Sequence, residues 1–384
     1  MFAKRYENRL NLQKKAGLYR NPPEFDRREG RHLLLAKKKV LNFASNDYLG
    51  LSTTDIARAR VAENFRKYGS SSSSSRLVSG NYSVINRAEE AYASYFGYEA
   101  AVFFPSGYQA NLGILSAFFE KGDTIVFDKH IHASSVKGMT LSGATFRGYN
   151  HNSMDHLAKR LDGCGNQQAA VLTESLFSMD GDLLNVEGLR RLKEKYRFLA
   201  VVDEAHSFGA LGSGGRGVAH GVADIALGTF GKAFGLFGAF VLLPYQFKEY
   251  LFNFCSPLIY STTLPEAHAA SALDLLVVVE QSDDRRAHLA HMSQLMKEEL
   301  RRAGFKVSGD AHILALEIGD ENKAVQVAGQ LLDKGIYALP ARYPTVPLRQ
   351  AILRIGITAS HQEEDIRLFV DTARKICDEL KTKY

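Results

Sequence analysis

Short apolar runs alternate with amphipathic stretches along most of the chain. "AAVFF" (100–104), "DTIVFD" (123–128), "AAVLTES" (169–175), "FLAVVDEA" (198–205), "DIALGTF" (224–230) and "GAFVLLP" (238–244) are too short for helices and predict buried strands. Between them, "NLGILSAFFEK", "SMDHLAKRL" and "VEGLRRLKEKY" carry apolar residues at helical spacing. Strand–helix alternation of this kind predicts an α/β fold with a mostly parallel central sheet covered by helices on both faces. The long apolar helix "PEAHAASALDLLVVVEQ" leads out of this unit. Beyond it come the helix "HLAHMSQLMKEELRRAGF", the strands "HILALEIG" and "AILRIGIT" and a charged C-terminal helix, a smaller α/β unit. At the other end, "RHLLLAKKKVLNFAS" reads as two strands around a lysine turn. The expected division is an N-terminal arm over 1–45, a large domain over 46–280 and a small C-terminal α/β domain over 281–384.

Composition adds exclusions. Across 384 residues, 45% are hydrophobic and 23% charged, which suits a globular protein with a sizeable core. The net charge of +6 is scattered among acids, so no nucleic-acid arm stands out. Cys164, Cys255 and Cys377 are far apart and form no CxxC pair, which points away from a disulfide framework and toward a reducing compartment. No secretory signal is visible at the start, and no apolar run approaches membrane-spanning length. The expectation is a soluble cytoplasmic protein without nucleic-acid or membrane partners.

Several motifs fail their context. "GSGGRG" (212–217) fits a dinucleotide fingerprint by letter, but its strand ends near Asp203 and no good helix start follows. "DEAH" (203–206) lacks the phosphate-cradling GxxxxGK[ST], since Ala226 stands where the first glycine belongs. "HIH" (130–132) offers two histidines without a third ligand at a recognisable spacing, so no metal is expected.

Four other segments sit where strands should end. In "FFPSGYQAN", a strand runs into Ser106-Gly107-Tyr108 and a helix follows, a place where backbone N–H groups meet an anion. "DKHIHASS" puts His132 just after a strand. In "VVDEAHSFG", Asp203 closes a very apolar strand, where a carboxylate is costly without a partner, and His206 follows. In "GTFGKAFG", Lys232 stands among small residues, with Thr229 three positions before it. An anion cradle, a ring-sized contact, a carboxylate and an amine are together what pyridoxal 5′-phosphate needs.

The ordered series "NFASNDYLGLS", "SGYQAN", "FSMDGD", "DEAHSFGALG", "TFGKAFG", "YSTTLP" and "YPTVP" resembles the α-oxoamine synthases, fold-type I pyridoxal-phosphate transferases, over essentially the whole chain. The resemblance implies a homodimer that condenses an amino acid with an acyl-coenzyme A, releasing carbon dioxide and coenzyme A. It implies Lys232 as the Schiff-base lysine, Asp203 beside the pyridine nitrogen, His206 on the ring hydroxyl and His132 stacked on the ring face. Gly107, Tyr108 and Thr229 match phosphate contacts, and Ser178 lies beside the cofactor. The resemblance implies that Ser261 or Thr262 of "YSTTLP" reaches the partner subunit's phosphate. Asn46 and Arg354 match residues near the substrate carboxylate, Thr358 is expected on the same side of its strand as Arg354, and Arg20 matches an arginine that meets substrate.

"SSSSSRLVSG" (71–80) alone would read as a flexible linker. Under the resemblance it is an active-site loop in which serines replace glycines. Ser75 stands where the glycine-using members usually carry threonine, and its smaller side chain fits an enzyme that accepts alanine or serine. "TFGKAFG" and "FSMDGD" suit the biotin-pathway branch of the family, whose acyl donor is pimeloyl-coenzyme A. Serine palmitoyltransferase-like, 2-amino-3-ketobutyrate ligase, 5-aminolevulinate synthase and quorum-signal branches remain alternatives. An inactive interaction subunit would be expected to lose the lysine, whereas Lys232 is present.

Overall fold

The six apolar runs between 100 and 244 all become strands in the computed structural model, which describes residues 2–165 and 168–381. In chain order the strands are β1 (Arg27–Glu29), β2 (His32–Leu35), β3 (Lys38–Asn42), β4 (Ala100–Phe104), β5 (Thr124–Asp128), β6 (Thr145–Tyr149), β7 (Ala169–Glu174) and β8 (Leu199–Asp203). Then follow β9 (Ile225–Thr229), β10 (Ala239–Leu243), β11 (Val307–Ser308), β12 (Ile313–Gly319), β13 (Ile336–Tyr337), β14 (Leu339–Ala341) and β15 (Ala351–Gly356). The chain divides into two compact units. Unit 2 takes Leu51–Ser178 and Leu183–Arg286; unit 1 takes the chain up to Gly50, Met179–Asp182 and Ala287 onward.

Unit 2 is built on a seven-stranded sheet in the order β4-β10-β9-β8-β7-β5-β6. The pairs β6–β5, β5–β7, β7–β8 and β8–β9 are parallel, and β10 runs against both β9 and β4. Every residue of β4 and β10 is buried, the mark of a sheet covered on both faces. The pleat sorts the side chains. Val102, Phe104, Val241 and Leu243 pack with Ile114 and Leu115 of the helix Gly107–Phe118. The alternate residues Phe103 and Phe240 meet Tyr92 from the helix Ser83–Phe96, at ring separations of 5.4 and 4.9 Å. The edge strand β6 and the helix Ala133–Ser142 add to the elements expected.

The arm expected over 1–45 is not a separate piece. Its strand β3 pairs in parallel with β13, Leu41 opposite Ile336. Phe43 stacks on His361 at 4.4 Å and meets Phe369 edge-on at 4.9 Å. The apolar residues of "VLNF" are buried here, so the segment clusters with the C-terminal part in unit 1. Unit 1 also holds the sheet β11-β12-β15-β14, backed by the helix Glu321–Asp333.

The serine run is pinned inside unit 2. Ser72 Oγ donates to the carbonyl of Thr263 at 2.8 Å, and Thr263 N–H returns a bond to Ser74 at 2.9 Å. Arg76 then anchors the run. Its guanidinium bonds Asn81, Asn86 and the fully buried Glu89, which also takes Lys248 Nζ at 2.8 Å and the N–H of Phe103 at 2.9 Å. Removing one partner of so buried an ion pair strands the other, at a cost of about 3–5 kcal/mol. Glu89→Ala is therefore expected to lower the unfolding free energy by that order, read from denaturant melts of the purified protein. A loss under about 1 kcal/mol would show that the loop is anchored by something else.

Candidate active site

Because β4 runs with β9, the loops after β4, β5, β7, β8 and β9 all leave from one edge of the unit 2 sheet. Crevices outside the carboxyl ends of parallel strands are where such sheets bind ligands. Those loops carry Gly107 and Tyr108, His132, Ser178, Asp203 with His206, and Thr229 with Lys232. Thus the sheet topology carries these residues to one edge, whereas Ser75 and Thr262 lie on other segments of the unit.

Asp203 is 9% exposed at the end of β8. Its Oδ2 accepts from Asn111 Nδ2 at 2.9 Å and its Oδ1 from the N–H of Ala205 at 3.0 Å. Asn111 is one turn into the helix Gly107–Phe118, on the face that packs on the sheet. The same amide reaches Ser134 Oγ at 3.0 Å, and Ser134 Oγ lies 2.7 Å from His132 Nδ1. His132 caps the helix Ala133–Ser142 through that nitrogen, which fixes its ring. One side of the imidazole is exposed. Packing on the other withdraws water and lowers its pKa, the charge of Asp203 opposes this, and Lys232 adds to it.

Glu174 ends β7 in register with Asp203 and is 2% exposed. Burial first, then the Asp203 charge, hold its carboxyl well above the usual carboxylate range, while Lys232 and the backbone N–H groups of His132 and Ser178 pull the other way. The helix over Gly107–Phe118 starts at Ser106, whose hydroxyl accepts from Gln109 N–H at 3.2 Å, leaving its first turn able to bind an anion. Thr229 donates its hydroxyl proton to Gly238 O at 2.9 Å and accepts from Gly231 N–H at 3.2 Å, so it shapes the Lys232 turn as it stands. Lys232 is partly exposed, as are Ser178 and Ser75, and Thr262 is open to solvent.

In unit 1, Arg354 lies on β15, 3% exposed, and its Nη2 donates to Asn46 Oδ1 at 3.2 Å. Tyr48 donates to the same oxygen at 3.1 Å. Burial pushes the Tyr48 phenol up to about 12, and the guanidinium of Arg354 restrains it. Thr358 lies just past its strand. The strand ends at Gly356, so alternation does not carry on to Thr358, whose hydroxyl pairs with His361 Nδ1 at 3.1 Å. Arg20 is exposed at the rim of a cavity of about 450 Å³ within unit 1, lined by Leu18, Pro22, Val325, Leu332 and Arg342 among others. Burial lowers the pKa of Arg342, and the positive charge of Arg20 lowers it further.

Asn111, Ser134 and Glu174 did not figure in the sequence expectations. Asn111 had a signal, a polar residue at the i+4 position from Gly107 on an otherwise apolar helix face. So had Glu174, a carboxylate closing an apolar strand just as Asp203 does.

Residues 38–372 match the family described as aminotransferase class I and II. A putative 8-amino-7-oxononanoate synthase of Bacillus cereus is 36% identical over 369 residues, spanning 94% of this chain and 93% of the relative. The chain belongs to the aminotransferase class I and II family. Within it, this chain is an α-oxoamine synthase, a pyridoxal-phosphate-dependent acyltransferase. A serine palmitoyltransferase from S. paucimobilis with bound PLP superposes with a TM-score of 0.92 at 26% identity, covering 98% of each chain. The 8-amino-7-oxononanoate synthase of Francisella tularensis superposes at 0.78 with 32% identity, over 90% of this chain and 99% of that one. The donor set fits the cofactor: a helix N-terminus for phosphate, a hydrogen-bonded carboxylate for a pyridinium and a primary amine for an aldehyde.

Lys232→Ala is expected to fold, because the side chain is only partly buried, and to retain no covalently fixed cofactor, read by near-ultraviolet absorbance, after borohydride treatment and desalting under denaturing conditions. Turnover should drop by about three orders of magnitude or more. A variant that still fixes cofactor on borohydride treatment would move the attachment to another lysine.

Proposed function

We propose that this acyltransferase condenses L-alanine with pimeloyl-coenzyme A, giving 8-amino-7-oxononanoate, carbon dioxide and coenzyme A, a step of biotin biosynthesis. The observation that carries the choice of acyl donor is the cavity bearing Arg20. Its walls are largely aliphatic, and it holds two arginines whose charges oppose each other. An alkyl chain ending in a carboxylate satisfies both features. A palmitoyl chain ends in a methyl group and would leave the guanidiniums without an anion.

Bound pyridoxal phosphate supplies an aldehyde for the amino acid and a ring that accepts electrons as the α-proton leaves. The protein's residues set this up. Asp203, fixed by Asn111 and Ala205, keeps a proton on the pyridine nitrogen by its charge. His132, its orientation set by Ser134, would cover one ring face. His206 would bond the ring hydroxyl, Ser178 would lie beside the ring, and Gly107, Tyr108 and Thr229 would meet the phosphate. Lys232 would hold the aldehyde and, as a free amine, would take the α-proton on Nζ. Arg354 offers its guanidinium to the amino-acid carboxylate, and Asn46 orients it. In this reading the enzyme is a cytoplasmic homodimer, with the partly exposed Ser261 or the exposed Thr262 reaching the partner subunit's phosphate. Among the described residues no helix is long and apolar enough to cross a membrane.

A substrate panel tests the reading: glycine, alanine and serine, each against acetyl, succinyl, pimeloyl and palmitoyl thioesters, with released coenzyme A as the signal. Alanine with the pimeloyl thioester should exceed every other pair by about tenfold or more in kcat/KM. Serine with the palmitoyl thioester as the best pair would place the enzyme with its sphingolipid-type neighbours. Arg20→Ala should raise KM for the pimeloyl thioester by about 10- to 100-fold with a smaller change in kcat, the mark of lost uniform binding. An unchanged KM would remove Arg20 from the acyl site.

A further inference from the structure

Three parallel strands lie side by side in the order β5, β7, β8. The middle one ends in Glu174. On one side is the loop carrying His132; on the other, directly in register, is Asp203. Two carboxyl groups at the same level of adjacent strands are too close for both to be charged in a dry site. Asp203 has the partners that suit a charge, the Asn111 amide and the Ala205 N–H. Glu174 is differently placed. The backbone N–H groups of His132 and Ser178 bond to it, while its buried Oε1 has no hydrogen-bond partner among the described residues. An ionised oxygen left so would cost far more than a neutral hydroxyl.

We propose that Glu174 is a positioning residue that stays neutral, its carboxyl group tying the backbones of His132 and Ser178 together so that both loops meet the bound cofactor in one fixed arrangement. The division of labour between the two strand ends follows. Asp203 carries the negative charge that the cofactor's ring nitrogen requires, and Glu174 supplies hydrogen bonds without adding a second charge. The charged groups facing Glu174 are Asp203 and Lys232, with opposite effects on its proton. Burial and Asp203 both retain that proton, and Lys232 alone among the charges opposes them. The inference rests on the cofactor-site reading given above.

Glutamine copies a neutral carboxyl group in shape and keeps its acceptor oxygen, whereas alanine deletes the tie. Affinity for PLP, followed by near-visible absorbance, should weaken about tenfold or more in Glu174→Ala and return to within about threefold of wild type in Glu174→Gln. Near-visible circular dichroism of the bound cofactor, which reports how the ring is held, should fall in the alanine variant and recover in the glutamine variant. A wild-type-minus-Glu174→Gln infrared difference spectrum of the full-length protein should show the carbonyl band of a protonated acid. Carboxylate bands in its place, glutamine as weak as alanine, or alanine equal to wild type would each overturn the proposal. Should the alanine variant fail to fold, the glutamine variant and the infrared bands still decide. If wild type itself binds no PLP, the cofactor reading fails, and the infrared spectrum still reports the state of Glu174.

Discussion

A carboxylate at the end of a strand buried along nearly its whole length is the constraint on which unit 2 turns. Moving such a group out of water costs several kcal/mol unless bonded neighbours replace the solvent. Asp203 meets that need with one side-chain amide and one backbone N–H. Each tie fixes something else. Asn111 can reach only if its helix begins at Gly107, which places the helix N-terminus at the same sheet edge. The same amide holds Ser134, and Ser134 holds the His132 ring. A cation cradle, an anion cradle and a ring contact thus share one hydrogen-bonded chain, so the site is organised before any ligand arrives.

The next residue makes a useful contrast. Glu204 is also buried, 1% exposed, and burial raises its pKa. Its carboxyl faces Ser207 and the N–H groups of Val218 and Ala219, and so ties down the glycine-rich turn over 212–217. In that turn Gly212 and Gly217 have φ of +77° and +82°, and a Cβ on Gly212 would strike the carbonyl of Gly217. The glycines that imitate a dinucleotide fingerprint therefore serve a tight backbone crossing. Two adjacent carboxylates in "DEAH" thus have different partners: Asp203 closes β8 and meets Asn111 and Ala205, while Glu204, just past the strand, bonds the glycine-rich segment.

Residues with conflicting demands were the most legible in the sequence. Asp203 is a polar group closing an apolar strand and Lys232 stands among small residues just after another, and that conflict is visible without a structure. The parallel sheet was legible because fully buried strands read as unbroken apolar runs. What escaped was set by tertiary context. The edge strand β6 is half exposed, and "TFRGY" has no apolar run to mark it. The helix over Ala133–Ser142 is rich in serine and starts from a histidine cap, so neither its composition nor its period stands out. The arm joined unit 1 through a parallel pairing across nearly 300 residues, a contact no local pattern encodes. Thr358 lies past the residue where β15 stops, so strand alternation does not by itself set its direction.

The serine run shows how a low-complexity string becomes a specific wall. Serine has less backbone freedom than glycine, and Ser73 indeed occupies the left-handed region at φ +52°. Side-chain bonds that glycine lacks offset that strain: Ser71 Oγ accepts from Ser73 N–H at 3.0 Å, and Ser74 Oγ from Ser79 N–H at 3.0 Å. The run then closes at Gly80, where a Cβ would lie 2.9 Å from the Ser75 carbonyl and from the Thr263 methyl. Ser75 is thereby held on both sides, its carbonyl taking the N–H groups of Val78 and Gly80 at 3.2 and 2.9 Å. Rigidity matters for selectivity because one methyl group is worth only about 1–3 kcal/mol of discrimination, and a loop that yields gives that difference away. Glycine at these positions would leave the backbone free to move aside for a larger residue. Serines bonded into the neighbouring segment restrain the backbone beside Ser75, and under the proposed reading it is against such a restrained backbone that the difference between serine and threonine would decide which amino acid fits.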